Sequence, residues 1–332
     1  MDLYRFDWLA SGAEEAIDPA REIVDPHHHL WEAPGKNFLV PDLLKETGGS
    51  HNVVQTVFVE CHAGYLDDGP EHMRPVGESA FVAECAAETD RAGGAVIAGI
   101  VSHADMMLGD GAEEVLQAHR DAGRGRFRGI RHATSWSDDP AVRPGHSRPT
   151  PEMMATDEFR AGVATLGRMG FSFDAWLLHP QISELADLAR AVPDTQIVLD
   201  HLGGPIGIGS YAGRRDEVFE EWKAGIDDAA SCPSIALKVG GIGMEWYFGM
   251  GWNELDAPPP SEQVAEYWGD WLRYAIDAFG PDRCMFESNF PVDRASLPYS
   301  VLWNAFQIVA ADYTEAEQDD LFAGTARRVY KL

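Results

Sequence analysis

The segment Asp25-Pro26-His27-His28-His29 ends a short apolar run that is typical of a β-strand. Side chains alternate between the two faces of an extended backbone, so His27 and His29 project to one side and His28 to the other. Two imidazoles spaced in this way at a strand end can bind one metal ion. A polar loop or a chance cluster is the alternative, but the chain has only 12 histidines, and three consecutive ones at a strand end favour a functional site.

Polar side chains also end other apolar runs. Each of them is explained equally well as a solvated strand end. Together, however, Arg131 and Lys238 would place positive charge at one mouth of an acidic protein, an arrangement that suits a substrate carboxylate, which arginine can bind through two parallel hydrogen bonds. The substrate-binding residues predicted at these strand ends are His62, Arg131, His132 and Lys238.

Eight short β-rich runs recur along the chain, separated by segments of helical periodicity. The predicted strands are residues 23–25, 56–61, 95–102, 127–132, 172–177, 196–201, 235–239 and 284–288. The predicted helices are residues 79–91, 113–122, 157–168, 182–191, 215–230, 261–279, 299–311 and 315–322. Such alternation indicates parallel strands joined by helices. The sequence therefore predicts an α/β protein, a (β/α)8 TIM barrel that forms one domain over residues 1–332, with residues 1–20 as an N-terminal extension.

Two predicted connections are too long for tight turns, residues 134–151 after the fourth strand and residues 240–260 after the seventh. Long loops in a compact domain usually carry function, and barrel enzymes place their active sites at the carboxyl ends of the strands. We therefore expect both loops to cover the mouth of the barrel. The aromatic side chains of the second loop, such as Trp246 and Tyr247, fit a pocket wall and packing against the rim equally well.

The chain is strongly acidic, since 26 Lys and Arg against 54 Asp and Glu give a formal net charge of −28. Such a surface repels phosphate backbones and anionic lipids, which argues against nucleic acid and membrane partners and leaves a small-molecule substrate. Neither a signal peptide nor a membrane span is recognisable, so we expect a cytoplasmic protein. The 4 cysteines are scattered, as is typical of reduced core residues. The sequence leaves open whether the protein forms a homo-oligomer.

Four motifs in strand order resemble one family. They are the D-x-H-x-H after the first strand, Leu178-His179-Pro180 after the fifth, Leu199-Asp200-His201-Leu202-Gly203-Gly204 after the sixth, and Cys284-Met285-Phe286-Glu287-Ser288-Asn289-Phe290-Pro291 at the eighth. The chain thereby resembles the amidohydrolase-2 branch of the amidohydrolase superfamily from about the first strand to the C-terminus. This branch is similar to sugar-acid lactonases and 2-pyrone-4,6-dicarboxylate hydrolase, and more remotely to metal-dependent decarboxylases of aromatic acids.

The resemblance implies that four histidines line the site: His27, His29, His179 and His201. It implies further that His201 binds a metal or polarises the substrate carbonyl, with His27 and His29 as the other metal ligands. Imidazole-rich sites suit Zn²⁺ or Mn²⁺, and operation without a metal remains open. Strand alternation agrees with the choice of His201, because the neighbouring Asp200 would then point the other way, into the barrel wall or a buried hydrogen bond.

The eighth strand departs from the family pattern. The usual carboxylate at its end is replaced by Asn289, which cannot act as a general base and is predicted to bind substrate. Glu287 shares the strand face of Asn289 and is either a substitute base or a buried partner of Lys238 or an arginine. Asp293 is a third candidate for the base, and His179 could also activate the water.

The favoured function is hydrolysis of a lactone or related activated ester of a carboxylated small molecule, either a sugar acid or an intermediate of aromatic degradation. Glu287 or Asp293 would help water to attack, and Arg131 would orient a substrate carboxylate. A metal-dependent decarboxylase of an aromatic acid is the first alternative. A catalytically inactive ligand-binding barrel is the second; Asn289 supports it, but the retained set of histidines argues against it.

Overall fold

Eight parallel strands follow one another in chain order around the centre of the molecule. The computed structural model describes residues 3–33 and 36–332. The strands are β1 (Glu22–His28), β2 (Asn52–Val59), β3 (Val96–Ser102), β4 (Phe127–Arg131), β5 (Ser172–Ala175), β6 (Ile197–Leu199), β7 (Ile235–Gly240) and β8 (Cys284–Glu287). The chain after β8 returns to β1 through a parallel bridge between His28 and Phe290. The predicted (β/α)8 barrel is confirmed.

Helices alternate with the strands and surround them. They are α1 (Phe6–Ser11), α2 (Val40–Thr47), α3 (Val76–Ala92), α4 (Ala112–Ala122), α5 (Asp157–Arg168), α6 (Ile182–Ala191), α7 (Arg215–Ala230), α8 (Glu245–Phe248), α9 (Ser261–Phe279), α10 (Tyr299–Ala310), α11 (Glu315–Asp319) and α12 (Thr325–Tyr330). The predicted bounds of α5, α6, α7 and α9 are confirmed. Local chemistry explains such agreement: the Thr156 hydroxyl caps α5 by accepting from the Phe159 amide at 3.3 Å.

Apolar side chains fill the layer between strands and helices, where Trp222 of α7 and Phe306 of α10 are fully buried. The barrel interior differs, because alternate strand positions carry ionisable groups into it. The buried groups of this kind are His27, Glu60, Arg131, Asp174, Asp200, Lys238 and Glu287. Buried charges are tolerated when they are paired. Ion pairs therefore organise the interior and fix the side chains of the site.

The two long connections differ in structure. Residues 134–151 contain no helix or strand, as predicted. The connection after β7 is more ordered than predicted, since it contains α8 and a 3₁₀ turn at Trp252–Glu254. The segment before β1 packs along the barrel, where the Ile17 amide donates to Asn304 Oδ1 at 3.0 Å. No helix in the described part of the chain is long and apolar enough to cross a bilayer.

Candidate active site

Two buried cations and their carboxylates form the base of the site. Lys238 Nζ lies 2.8 Å from Asp174 and 3.0 Å from Asp200. Arg131 donates through Nε to Glu60 Oε1 at 2.8 Å, and its Nη1 lies 3.6 Å from Asp200. Burial alone would lower the pKa of both cations, but the adjacent carboxylates raise the pKa of each above its ordinary value. Both side chains are therefore charged and already paired.

Glu287 contacts two histidines from other strands. Its Oε1 accepts the His201 backbone amide at 3.0 Å and lies 2.6 Å from His201 Nδ1. Its Oε2 lies 2.7 Å from His27 Nδ1, whereas Lys238 Nζ is farther from that nitrogen, at 3.3 Å. A carboxylate only accepts hydrogen bonds, so His201 carries its proton on Nδ1, whereas Glu287 Oε2 accepts no hydrogen bond from His27. Glu287 thereby fixes the tautomer of the His201 ring.

The free nitrogens of these two rings differ in their surroundings. His27 Nε2 lies 3.2 Å from Arg131 Nη1, which donates to it. His201 Nε2 has no hydrogen-bond partner among residues 3–33 and 36–332. Burial lowers the pKa of His27 well below its ordinary value, and the positive charge of Lys238 lowers it further. His27 is thus neutral and enclosed, while His201 has an open lone pair.

His29, Asn289 and Asp293 form a second buried chain. His29 Nδ1 lies 2.8 Å from the Val59 carbonyl oxygen, and its Nε2 lies 3.2 Å from Asn289 Oδ1. Asn289 donates to Asp293 Oδ1 at 2.8 Å, and Asp293 Oδ2 accepts from the Gly243 amide at 2.9 Å. Burial lowers the pKa of His29 to about 3 and raises the pKa of Asp293 well above its ordinary value. Asp293 is therefore an anchor for Asn289 and for the connection after β7.

A cavity of about 170 Å³ opens over these residues. Four predicted site residues line it: His29, Arg131, His201 and Asn289. The two long connections supply further walls, including Arg143, His146, Trp246 and Tyr247. A second cavity of about 210 Å³ lies beside α7 and α9, but its lining contains neither a histidine nor a carboxylate. The first cavity is therefore the candidate active site.

His179 lies apart from the other three histidines that were expected to converge. β5 ends at Ala175, and His179 begins a 3₁₀ turn beyond it. Its ring packs against Tyr211 with 5.0 Å between centroids, and its Nδ1 accepts from the Ile206 amide at 3.3 Å. The extra residues after the strand carry this side chain away from the barrel axis, and it does not line the cavity.

Other predicted residues also lie outside the cavity lining. Lys238 is fully buried beneath it, and Asp293 is fully buried beside it. His132 is buried with its Nδ1 accepting from the Met106 amide at 3.1 Å. His62 is exposed at the rim. Glu287, predicted as a base or as a partner of Lys238 or an arginine, is fully buried and has histidines as its nearest partners.

Asp200 is buried beside Lys238, as expected of it, and His201 faces the cavity, but strand alternation is not what separates them. β6 ends at Leu199, and His201 has a left-handed backbone with φ 54°, so strand alternation no longer applies. Asp200 stays in the barrel interior with Lys238, and His201 turns toward the cavity.

Arg143 and His146 were not predicted from the sequence. They lie in an irregular connection, which has no periodicity from which the direction of a side chain could be deduced.

Among the described residues, two groups of three side chains each bring their ligand atoms within 4.8 Å of one another. The first group is His27, His201 and Glu287, and the second is Glu60, His62 and His146. The first group contains two of the predicted metal ligands, and Glu287 takes the place of His29. Imidazole nitrogen and carboxylate oxygen are donors that Zn²⁺ and Mn²⁺ accept. The residues present therefore fit a divalent metal.

The sequence from residue 24 to residue 332 matches the amidohydrolase family model. The chain belongs to the amidohydrolase family. It is therefore a hydrolase, and the alternative of an inactive barrel is set aside. This membership agrees with the strand-end histidines and with the position of the cavity at the carboxyl ends of the strands.

Several relatives of this amidohydrolase match over most of their length. An uncharacterized protein, y4mH, from Sinorhizobium fredii is 31% identical over 332 residues, covering 93% of this chain and 98% of the relative. An L-fucono-1,5-lactonase from Burkholderia multivorans is 25% identical over 325 residues, covering 93% and 96%. A crystal structure of a Burkholderia multivorans amidohydrolase with bound zinc superposes with a TM-score of 0.71 at 24% identity, covering 93% of this chain and 99% of that one.

Proposed function

We propose that this amidohydrolase opens a lactone, or a related activated ester, of a small carboxylated molecule such as a sugar acid or an intermediate of aromatic degradation. One observation carries the proposal. His201 is held by Glu287 through Nδ1 at 2.6 Å, and its unpartnered Nε2 belongs to a ring that lines the cavity. A histidine oriented by a buried carboxylate is a common general base in acyl transfer.

The reaction follows from this arrangement. His201 Nε2 accepts a proton from water while the water oxygen attacks the carbonyl carbon of the lactone. The ring C–O bond then breaks, and His201 returns the proton to the leaving oxygen, so that the product is a hydroxy acid. Glu287 stabilises the imidazolium that exists between these steps. Arg131 lines the same cavity, but its guanidinium is already paired with Glu60 and Asp200.

Arg143 is the side chain proposed to bind the substrate carboxylate. It is exposed, lines the cavity, and has no carboxylate within 4.0 Å among the described residues. Arg131, by contrast, is neutralised by Glu60 and Asp200. A cation that is not yet paired binds an incoming carboxylate without first losing a partner. The role first expected of Arg131 therefore passes to Arg143.

A divalent metal held by His27, His201 and Glu287 would act as a Lewis acid toward the substrate carbonyl. His201 would then be a metal ligand and not the base, so this is an alternative to base catalysis by His201. The zinc in the related Burkholderia structure supports testing this metal first. The L-fucono-1,5-lactonase among the relatives supports sugar-acid lactones as the first substrates to assay.

The deciding experiment is a substrate panel. Purified protein, both chelator-treated and supplied with Zn²⁺ or Mn²⁺, is mixed with sugar-acid 1,4- and 1,5-lactones and with carboxylated pyrones, and acid release is followed with a pH indicator. We expect hydrolysis of at least one lactone and its loss in His201→Gln. Release of CO₂ from aromatic acids, with every lactone left intact, would instead establish the decarboxylase.

A further inference from the structure

We propose that Glu60, His62 and His146 form a second divalent-cation site at the rim of the cavity, suited to Zn²⁺. Each of these side chains offers one ligand atom, and the three atoms lie within 4.8 Å of one another. Two imidazoles and one carboxylate are a donor set typical of zinc, with a fourth position left for water. None of the three residues belongs to the group formed by His27, His201 and Glu287.

Glu60 supplies the negative charge of the proposed site. It is fully buried, and its Oε1 is held by Arg131 at 2.8 Å. His146 Nε2 lies 3.0 Å from Oε2 and 2.9 Å from Oε1, and Oε2 has no other hydrogen-bond partner among the described residues. Arg131 and His146 both contact this carboxylate, so its position is fixed before a cation arrives.

The backbone conformation of His62 is not explained by hydrogen bonds of its side chain. Its backbone is left-handed with φ 67°, a conformation that strains a side-chain-bearing residue. Its side chain makes no hydrogen bond within the described chain. The ring nevertheless packs against the ring of His146, with 4.5 Å between centroids and an interplanar angle of 88°. Coordination of a metal by His62 would account for both the strained backbone and the orientation of the ring toward His146.

His146 lies in the irregular connection between β4 and α5, and it lines the cavity together with Arg143 of the same connection. A metal on Glu60, His62 and His146 would therefore tie this connection to the end of β2. The hydrogen bond between His146 and Glu60 is a rival explanation for their contact, but it leaves His62 without a role. The net charge of −28 also raises the local concentration of cations around the protein.

Co²⁺ and Zn²⁺ are the probes for this site, because Co²⁺ bound to nitrogen and oxygen ligands has visible absorption bands that do not depend on catalysis. Chelator-treated full-length protein is titrated with each metal alone. We expect His62→Gln and His146→Gln each to bind one equivalent fewer than wild type and to lose the same absorption component. His27→Gln should retain that component, which separates this site from the first one.

His72→Gln is the matched control, since His72 lies in a separate turn at Glu71–Met73, and it should bind as much metal as wild type. Hydrogen exchange gives a second measurement: Zn²⁺ should slow exchange over residues 134–151 in wild type and in His72→Gln but not in His146→Gln. Equal stoichiometry in wild type, His62→Gln and His146→Gln would overturn the proposal. So would an equal loss in His72→Gln, because the metal would then be bound nonspecifically at surface histidines.

Discussion

Glu287 Oε1 lies 2.6 Å from Nδ1 of His201 and also accepts the backbone amide of the same residue at 3.0 Å. One carboxylate oxygen thus fixes both the ring and the backbone of His201, in a turn where φ is positive. Glu287 is fully buried and does not line the cavity, so it does not take a proton from water directly. In the proposed reaction it is a positioning residue that acts through His201.

The first prediction concerns Glu287→Gln. The substitution replaces one carboxylate oxygen with an amide N–H and removes the negative charge beside His201 Nδ1, so the His201 imidazolium is no longer stabilised. We expect kcat to fall by roughly 10²–10⁴-fold, with a smaller change in KM. Because a structural role would lower stability instead, the melting temperature and the pH profile of kcat are measured beside the rate. A normal kcat in the folded variant would contradict the positioning role.

The second prediction uses a double variant. If Glu287 acts only through His201, then removing both side chains should cost little more than removing His201 alone, because residues that act as a unit are not additive. We expect His201→Gln and the double variant His201→Gln/Glu287→Gln to have the same kcat within about threefold. Independent losses that multiply would show that Glu287 has a separate role, for example toward His27 or a metal.

The third prediction concerns substrate recognition by Arg143. We expect Arg143→Gln to raise KM about tenfold for a lactone that carries a carboxylate, since one charge-assisted hydrogen bond is lost. The matched substrate is a neutral lactone with the same ring, for which KM should stay within about twofold. An equal rise in KM for both lactones would show that Arg143 shapes the cavity wall and does not recognise charge.

The sequence predicts well those features that depend on local chemistry. The bounds of α5, with its Thr156 cap, follow from neighbouring residues, and the shared facing of His27 and His29 follows from strand alternation. The inward facing of Glu287 was also predicted from its strand position. Its two histidine partners were not, because β1 and β6 are far from it in sequence and only closure of the barrel brings them together. Arg143 could not be assigned, since an irregular connection gives no rule for the direction of a side chain.

The fourth prediction tests whether Lys238 stabilises the fold through its buried ion pairs or binds substrate, as the sequence predicted. Lys238→Met would leave Asp174 and Asp200 buried without their cation, and removing one partner from a buried ion pair typically costs about 3–5 kcal/mol of unfolding free energy. The matched control is Lys223→Met, whose partner Glu220 is exposed, with an expected cost below about 1 kcal/mol. Urea denaturation measures both. A stable Lys238→Met protein with a raised KM would restore the substrate-binding role.

The last prediction is a pH dependence of stability that arises at His119, a residue outside the cavity. Its ring is stacked on Phe127, its Nδ1 lies 2.8 Å from the Ser79 hydroxyl, and its Nε2 donates to the His103 carbonyl at 2.9 Å. Burial lowers the pKa of His119 from 6.5 to about 3. Between these values the unfolded chain binds a proton that the folded chain does not, so the contribution of His119 is full above about pH 6.5 and is lost as the pH falls toward 3. The loss amounts to about 1.4 kcal/mol of unfolding free energy per pH unit for this one group.

His119→Gln should be less stable than wild type at pH 7.5, by about 1–3 kcal/mol, because buried hydrogen bonds are lost. That difference should shrink steadily between pH 6 and pH 4.5, since the variant has no imidazole to protonate there. Urea denaturation of both proteins across this range measures the effect, and a difference that stays constant with pH would mean that the folded protein does not hold His119 neutral.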